Sequence, residues 1–297
     1  MDFKRLAILE LSNESIVTVV LLIWGYFFRD VWSMVAGAIV GQCFLVLASH
    51  LYLPGIRNKF RWDRSALNIF MGFGKWIYLS SIVSFLSTQS DRFLLGKYLD
   101  IAHLGVYGTA TVLSGAMLTV IVKINADVLF PTFSRVVQQG TERMKQVVLR
   151  TRLAIDAAII LPIAAIVILG SRVIDLLYDP RYHEAGWMLQ VLSIRLIMVA
   201  TVSNSESCLA ALGHPKYSFI ENLCRTISIF VAIPIGWSLA GIKGVIWAIA
   251  LSEIPAVIVI WIGMIRNHMF SILAELRSLL FVALGALLGL GVLYILH

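Results

Sequence analysis

Apolar runs separated by short polar breaks occupy most of the 297-residue chain. Nine of them reach or approach the roughly 20 residues that a bilayer-spanning helix needs. They cover 15–28, 32–53, 67–87, 104–127, 153–170, 187–209, 219–241, 245–265 and 279–296. The first is short, and spans by extending back through Leu9 or not at full thickness. Lipid offers no water to unpaired backbone groups, so these runs predict helices. A membrane β-barrel would instead alternate apolar and polar positions over about ten residues at a time, a pattern not seen in this sequence. The fold class is therefore an all-α integral membrane protein with about nine transmembrane helices.

Composition agrees. The chain is 59% hydrophobic and 14% charged, against about 25% charged residues in a soluble domain. Its net charge of +7 invites a nucleic-acid partner, but the positions of the cations argue against one. Arg57, Lys59, Arg61 and Arg64 share one break, and Arg135, Arg143, Lys145, Arg150 and Arg152 share another. Lys4 and Arg5 precede the first run, and Arg266 and Arg277 flank the last break. The alternate breaks are poorer, with Arg29, then Arg92 and Lys97, then Arg172 and Arg181, then Lys243. Excess Lys and Arg marks the cytoplasmic side. The N-terminus and the segments 54–66, 131–152, 211–218 and 266–278 are therefore expected inside, and the C-terminus of a nine-span chain outside. The partner this pattern implies is the lipid bilayer, not nucleic acid.

The first residues lack the pattern of a cleaved secretory signal, because Glu10 and Glu14 interrupt the apolar stretch after the early cations. Cys43, Cys208 and Cys224 all fall inside spans and give neither a disulfide framework nor metal spacing. Gly37 with Gly41, and Gly285 with Gly289, fit the small-xxx-small spacing of close helix packing. The longest extramembrane segment, 131–152, reads as an amphipathic cytoplasmic helix. Six consecutive spans lie between two basic segments. The expected organisation is 1–53 as the last two helices of an incomplete N-terminal lobe and 54–66 as a basic cytoplasmic linker. Residues 67–265 then form a six-helix C-terminal lobe, and 266–297 an additional C-terminal helix.

Enzyme motifs are absent: neither a GxxxxGK[ST] phosphate loop nor HExxH occurs in the sequence. The six histidines lie at span ends or in breaks and suit the membrane interface. No catalytic residue, metal site or cofactor is implied. The polar residues inside spans carry the information, since charge there is costly and normally faces protein or water. In the third span Ser80, Ser84, Ser87 or Thr88, and Asp91 recur at three or four residues, with Ser81 beside them and Lys75 a turn earlier. They form either a polar face or a stripe of small packing residues. In the fourth, Thr111, Gly115, Thr119, Lys123 and Asp127 repeat every four, ending in a possible ion pair. Arg195 is central in the sixth span and Glu253 in the eighth, with Pro255 just beyond; they form a buried pair or line an aqueous cavity. Glu221 and Arg225 make a further i,i+4 pair. Lys75, Arg92, Lys123 and Arg195 are thus the candidates for a cationic cavity that suits a phosphate or pyrophosphate. Asp91, Asp127 and Glu253 are candidates for ion coupling or buried pairs.

Three stretches carry a resemblance. They are Asp91-Arg92-Phe93-Leu94-Leu95-Gly96-Lys97-Tyr98-Leu99, then Leu104-Gly105-Val106-Tyr107, then Val128-Leu129-Phe130-Pro131-Thr132-Phe133-Ser134-Arg135. Leu177-Tyr178-Asp179, Ala185-Gly186-Trp187 and Leu212-Gly213-His214-Pro215-Lys216 add to it. Together they resemble the O-antigen and exopolysaccharide flippases of the multidrug/oligosaccharidyl-lipid/polysaccharide exporter superfamily. The resemblance implies a two-lobe transporter of the bacterial inner membrane. On that plan about four opening helices are missing, as a truncated gene, a mis-called start or a fragment would leave them. It also implies turning an undecaprenyl-pyrophosphate-linked oligosaccharide, an anionic lipid, from the inner to the outer leaflet without covalent chemistry. A polysaccharide polymerase and assembly proteins stay open as partners. So do the alternatives of a drug/cation antiporter of the same superfamily, a membrane-embedded glycan polymerase or ligase, and a non-transporting remnant.

Overall fold

The computed structural model describes residues 3–52, 82, 85–86 and 89–295, and among them every regular element is helical. The chain divides into two compact units, Met1–Met71 and Gly72–His297.

The first unit holds α1 (Phe3–Phe28) and α2 (Trp32–Tyr52), packed against each other. The chain reverses through Arg29, whose φ of 50° lies in the left-handed region. Gly37 and Gly41 let the helices touch. A methyl group on Gly37 would stand 3.1 Å from the Val17 carbonyl oxygen, and one on Gly41 would overlap the Val17 side chain. The spacing read in the sequence is thus a packing device.

The second unit contains α3 (89–98), α4 (Ile101–Ile124), α5 (Phe130–Val136), α6 (Thr141–Leu177), α7 (Ala185–Ala211), α8 (Lys216–Leu251), α9 (Ile254–Arg266) and α10 (Ile272–Ile295). Asp100 starts α4, its carboxylate accepting the His103 N–H at 2.9 Å. α7 is the central helix and packs on α4, α6, α8 and α9. It can be surrounded because most of its residues are apolar or small, and Gln190 and Arg195 find hydrogen-bond partners on neighbouring elements. It buries Met188, Leu189, Leu196 and Cys208 together with Ser193, Asn204 and Ser205. Core side chains accompany it along its length. Leu95, Tyr107 and Ile249 pack at the Asp100 end, Ile121 and Ile160 midway, and Phe133, Met144 and Met264 at the Gly140 end. Outward faces keep large apolar residues exposed, such as Leu176, Val231, Leu280 and Leu287. That is the pattern of a lipid-facing surface, where apolar side chains need no cover.

Seven helical stretches among the described residues are long and apolar enough to cross a bilayer: Ile8–Phe28, Trp32–His50, Ile101–Gln139, Thr141–Leu177, Ala185–Ala211, Lys216–Arg266 and Ile272–Ile295. The expected third span lies largely outside the described residues. The expected seventh and eighth share the stretch Lys216–Arg266. Within α8, Ala240 and Gly241 leave the helical region, with φ/ψ of −148°/22° and 56°/−135°. Gly236 and Gly244 would stand about 12 Å apart along a straight helix, yet a methyl on either would overlap the other's carbonyl group. The chain therefore turns back on itself at Gly241, and only glycine fits where the two arms meet.

Two departures from sequence expectation have clear causes. The amphipathic helix expected over 131–152 is divided at Gly140, whose φ is 99°. Its first part, α5 and the 3-10 turn Val137–Gln139, continues α4; its second part opens α6. α6 has 37 residues, about 55 Å at 1.5 Å per residue, well beyond the hydrocarbon thickness of about 30 Å. The second departure is a π-helical turn at Asn125–Leu129, between α4 and α5. Pro131 has no N–H to offer the carbonyl four residues back, and its ring crowds that turn. The wider π turn accommodates it.

α10 lies along α6. A methyl on Gly285 would stand 2.7 Å from the Ala164 Cβ, and one on Gly289 2.9 Å from the Ala165 carbonyl oxygen. A buried charge network reinforces this seam. Arg152 donates to both oxygens of Glu275 at 2.7 and 2.8 Å and to Asp156 at 3.1 Å, and the Ser278 hydroxyl donates to Asp156 at 2.7 Å.

A polar groove between α4 and α7

α4 and α7 lie side by side, with polar residues toward each end of their facing sides and the apolar Leu118, Ile121, Leu196 and Ala200 between them. Two cavities open along this seam. The first, of about 220 Å³, is lined by Gln89, Asp91 and Arg92 of α3, Tyr107, Thr111, Ser114, Gly115 and Leu118 of α4, and Leu192, Arg195 and Leu196 of α7. The second, of about 300 Å³, lies nearer Gly140 and is lined by Val122, Asn125, Ala126, Phe130, Ser203, Glu206, Ser207 and Ala210.

The first cavity gathers Asp91, Arg92 and Arg195, together with the Thr111–Gly115 face of the fourth span. The phenol of Tyr107, itself buried, donates to Asp91 Oδ2 at 2.6 Å, and the Arg92 backbone N–H donates to Asp91 Oδ1 at 2.8 Å. Both carboxylate oxygens are thus engaged. The exposed guanidinium of Arg92 has no ion-pair partner among the described residues.

Arg195 serves two surroundings at once. Its Nε donates to Glu253 Oε1 at 2.9 Å, while the residue also lines the cavity. The pair and the cavity, alternatives in the sequence, therefore coexist. Glu253 sits where α8 gives way to α9. Pro255, in the first turn of α9, cannot donate to the Leu251 carbonyl, and that favours the break. The second oxygen of Glu253 lies 3.6 Å from Arg225 Nη1, and Arg225 Nη2 lies 3.4 Å from Glu221. Arg195, Glu253, Arg225 and Glu221 form a neutral chain of alternating charge through α7, the α8–α9 break and α8. The carboxylates are 1% and 2% exposed and the guanidiniums 20% and 16%. Such depth is tolerated because each buried charge has a partner. Among the described residues the Arg195 side chain donates one hydrogen bond, to Glu253, which leaves the other N–H groups of its fork for the cavity.

Other candidates fall elsewhere. Lys123 is exposed and lines neither cavity, and no ion pair joins it to Asp127 among the described residues. The π turn explains this, since it begins between the two and breaks the four-residue register that would bring them together. Lys75, Ser80, Ser81, Ser84, Ser87 and Thr88 lie outside the described residues.

Sequence reasoning passed over Glu206 and Asp156, two acids within apolar runs, and the partners that close around Arg152. Position inside a span was signal enough for both acids. With Glu206 included, acids and bases in the lobe are more evenly balanced than a cationic cavity requires. Arg92 and Arg195 line one cavity together with Asp91, and Glu206, without an ion-pair partner among the described residues, lines the other. Among the described residues no three His, Cys, Asp or Glu side chains are grouped to hold a metal.

Comparison with known proteins agrees with this architecture. The family described as "Polysaccharide biosynthesis protein" matches residues 1–186. The chain is 23% identical over 272 residues to the lipopolysaccharide biosynthesis protein WzxC of Escherichia coli (strain K12), covering 90% of this chain and 54% of that protein. It is 21% identical over 266 residues to the succinoglycan biosynthesis transport protein ExoT of Rhizobium meliloti (strain 1021), covering 88% of this chain and 53% of that protein. It thus spans about half the length of these relatives. Among solved structures, the lipid II flippase MurJ in an inward closed conformation superposes with a TM-score of 0.63 at 14% identity, over 95% of this chain and 66% of that one. The shared fold is that of a membrane flippase.

Proposed function

Because the chain belongs to the polysaccharide biosynthesis protein family, we propose that it acts in moving a lipid-linked oligosaccharide, an undecaprenyl-pyrophosphate-linked repeat unit, across the bacterial inner membrane. It is a multi-pass membrane protein. In this reading its N-terminus and the basic segments 54–66 and 131–152 face the cytoplasm, where Lys and Arg accumulate. The pyrophosphate docks at the first cavity.

The observation that carries the reading is the presence of Arg92, from α3, and Arg195, from α7, in the lining of one cavity. Planar guanidinium forks match phosphate oxygens, and charge-assisted bonds to them are the strong ones. Low dielectric around the cavity raises their value further. Tyr107 and the Arg92 backbone N–H hold both oxygens of Asp91, which fixes the carboxylate, while the Arg92 side chain makes no ion pair among the described residues. No chemical bond is made or broken: the protein supplies a polar path for a charged headgroup while the lipid tail stays in the bilayer.

Surface polysaccharide in a strain lacking its own flippase tests the reading. At matched membrane abundance, Arg92→Ala and Arg195→Ala in the full-length protein reduce the polysaccharide restored, whereas Arg143→Ala, on an exposed turn of α6, does not. Equal restoration by all three would remove the anion site from the account.

A further inference from the structure

The second cavity has no part in docking the pyrophosphate. We infer that it is a carbohydrate subsite that holds one sugar residue through Phe130, Asn125, Ser203 and Glu206. The inference rests on the proposed transport of a lipid-linked oligosaccharide and adds where its glycan is read.

The π turn builds the site. In a regular helix of 3.6 residues per turn, residues five apart point about 140° away from each other. Across Asn125–Leu129 the hydrogen bonding widens to five residues, with the Phe130 N–H bonded to the Asn125 carbonyl. Asn125 and Phe130 consequently line the same cavity. The distortion sets an amide and an aromatic ring side by side, facing α7.

The available groups match a pyranose. Ser207 donates to Asn125 Oδ1 at 3.1 Å, which leaves the Asn125 amide N–H groups free to donate outward. Glu206 has no ion-pair partner, and Ser203 no side-chain hydrogen bond, among the described residues. Phe130 is 46% exposed. A sugar presents a C–H face that an aromatic ring covers and hydroxyls that a carboxylate, an amide and a hydroxyl bind. Among the described residues no Lys or Arg lines this cavity, so it does not suit phosphate. A cation held by oxygens is closely caged at about 2.3–2.6 Å, unlike an open cavity of about 300 Å³. That volume is at the small end for organic ligands and suits one sugar unit. Along the groove, anion-binding arginines give way to hydroxyl-binding groups, the order in which a glycosylated pyrophosphate presents its parts.

Saturation-transfer NMR tests this on the purified protein in a detergent without a sugar headgroup. The probes are D-glucose, D-galactose and N-acetyl-D-glucosamine, with inorganic pyrophosphate titrated separately. At least one sugar receives saturation from the wild type. Phe130→Ala and Glu206→Gln each weaken that signal by about fivefold or more, while Arg143→Ala does not. Should Phe130→Ala aggregate, Phe130→Leu keeps the bulk without the ring and carries the same expectation. Absence of sugar signal from the folded wild type, or signal unchanged in both variants, overturns the subsite. So does a sodium-dependent response lost in Glu206→Gln without any sugar signal, which would make the cavity a cation site. Pyrophosphate binding that depends on Arg92 while no sugar binds would sink the subsite and leave the anion site standing. Sugar binding without pyrophosphate binding would do the reverse.

Discussion

Two buried charge networks in the second unit look alike in composition and differ in what surrounds them. One joins Arg152 to Asp156 and Glu275; its arginine is 5% exposed and bonds carboxylates with every arm of its fork. It fastens α10 to α6 beside the Gly285 and Gly289 contact. The other joins Arg195, Glu253, Arg225 and Glu221, and its first member opens onto a cavity with donors unused. A charge inside a membrane helix marks either a seam or a site. The number of donors left over, and whether a cavity reaches them, tells the two apart. By that criterion Arg152 belongs to a seam, whereas Arg195 both pairs with Glu253 and lines a cavity.

The comparison is broken most severely by mutation at the seam. Arg152→Ala leaves Glu275 and Asp156 without their shared cation, and Asp156 keeps only Ser278. Stranding buried charge costs about 3–5 kcal/mol. Thermal unfolding in detergent should show a large loss of Tm, with α10 the first element to gain protease access. Arg195→Ala strands less, because Glu253 retains Arg225 at 3.6 Å. Its Tm should fall by clearly less than that of Arg152→Ala, while transport falls by more than any stability loss explains. A reversed order of Tm would undo the distinction between seam and site. Next in size is Gly236→Val, which forces a side chain into the Gly244 carbonyl. Close-packed interiors tolerate such insertions poorly, at about 1–3 kcal/mol, and reduced yield of folded protein measures it. Gly105→Ala, with open space around its Cβ position, is the matched control. The smallest effect belongs to Tyr107→Phe. It removes one hydrogen bond to Asp91, about 1 kcal/mol, and frees that carboxylate to compete for Arg92. Anion affinity should fall modestly while Tm scarcely moves.

Much of this lobe was legible beforehand. Long apolar runs predict helices because lipid leaves the backbone no other partner, and Gly285 with Gly289 predicted a close contact through its spacing alone. Arg195 could be singled out because charge in an apolar run needs a reason, and Asp91 because it continues the polar stripe of the third span, with Arg92 beside it. What periodicity hid was local. The Lys123–Asp127 pair assumed a regular helix, and the π turn that Pro131 induces breaks that register. The same turn brings Asn125 and Phe130 together, which a period of 3.6 denies. Gly140 divides a segment whose amphipathic pattern read as one helix. The pairing of Arg152 with Glu275 and of Arg225 with Glu253 depends on which helices touch, and a single sequence does not state that.

The central claim is that the Arg92–Arg195 cavity recognises a lipid pyrophosphate, and binding to the purified protein tests it most directly. Undecaprenyl pyrophosphate and uncharged undecaprenol are titrated in parallel against the wild type and Arg92→Ala. Loss of one charge-assisted fork should weaken binding about tenfold. The pyrophosphate should bind more tightly than the alcohol, and Arg92→Ala should remove most of that advantage. Equal affinity for the two lipids, or an advantage untouched by Arg92→Ala, would contradict the claim.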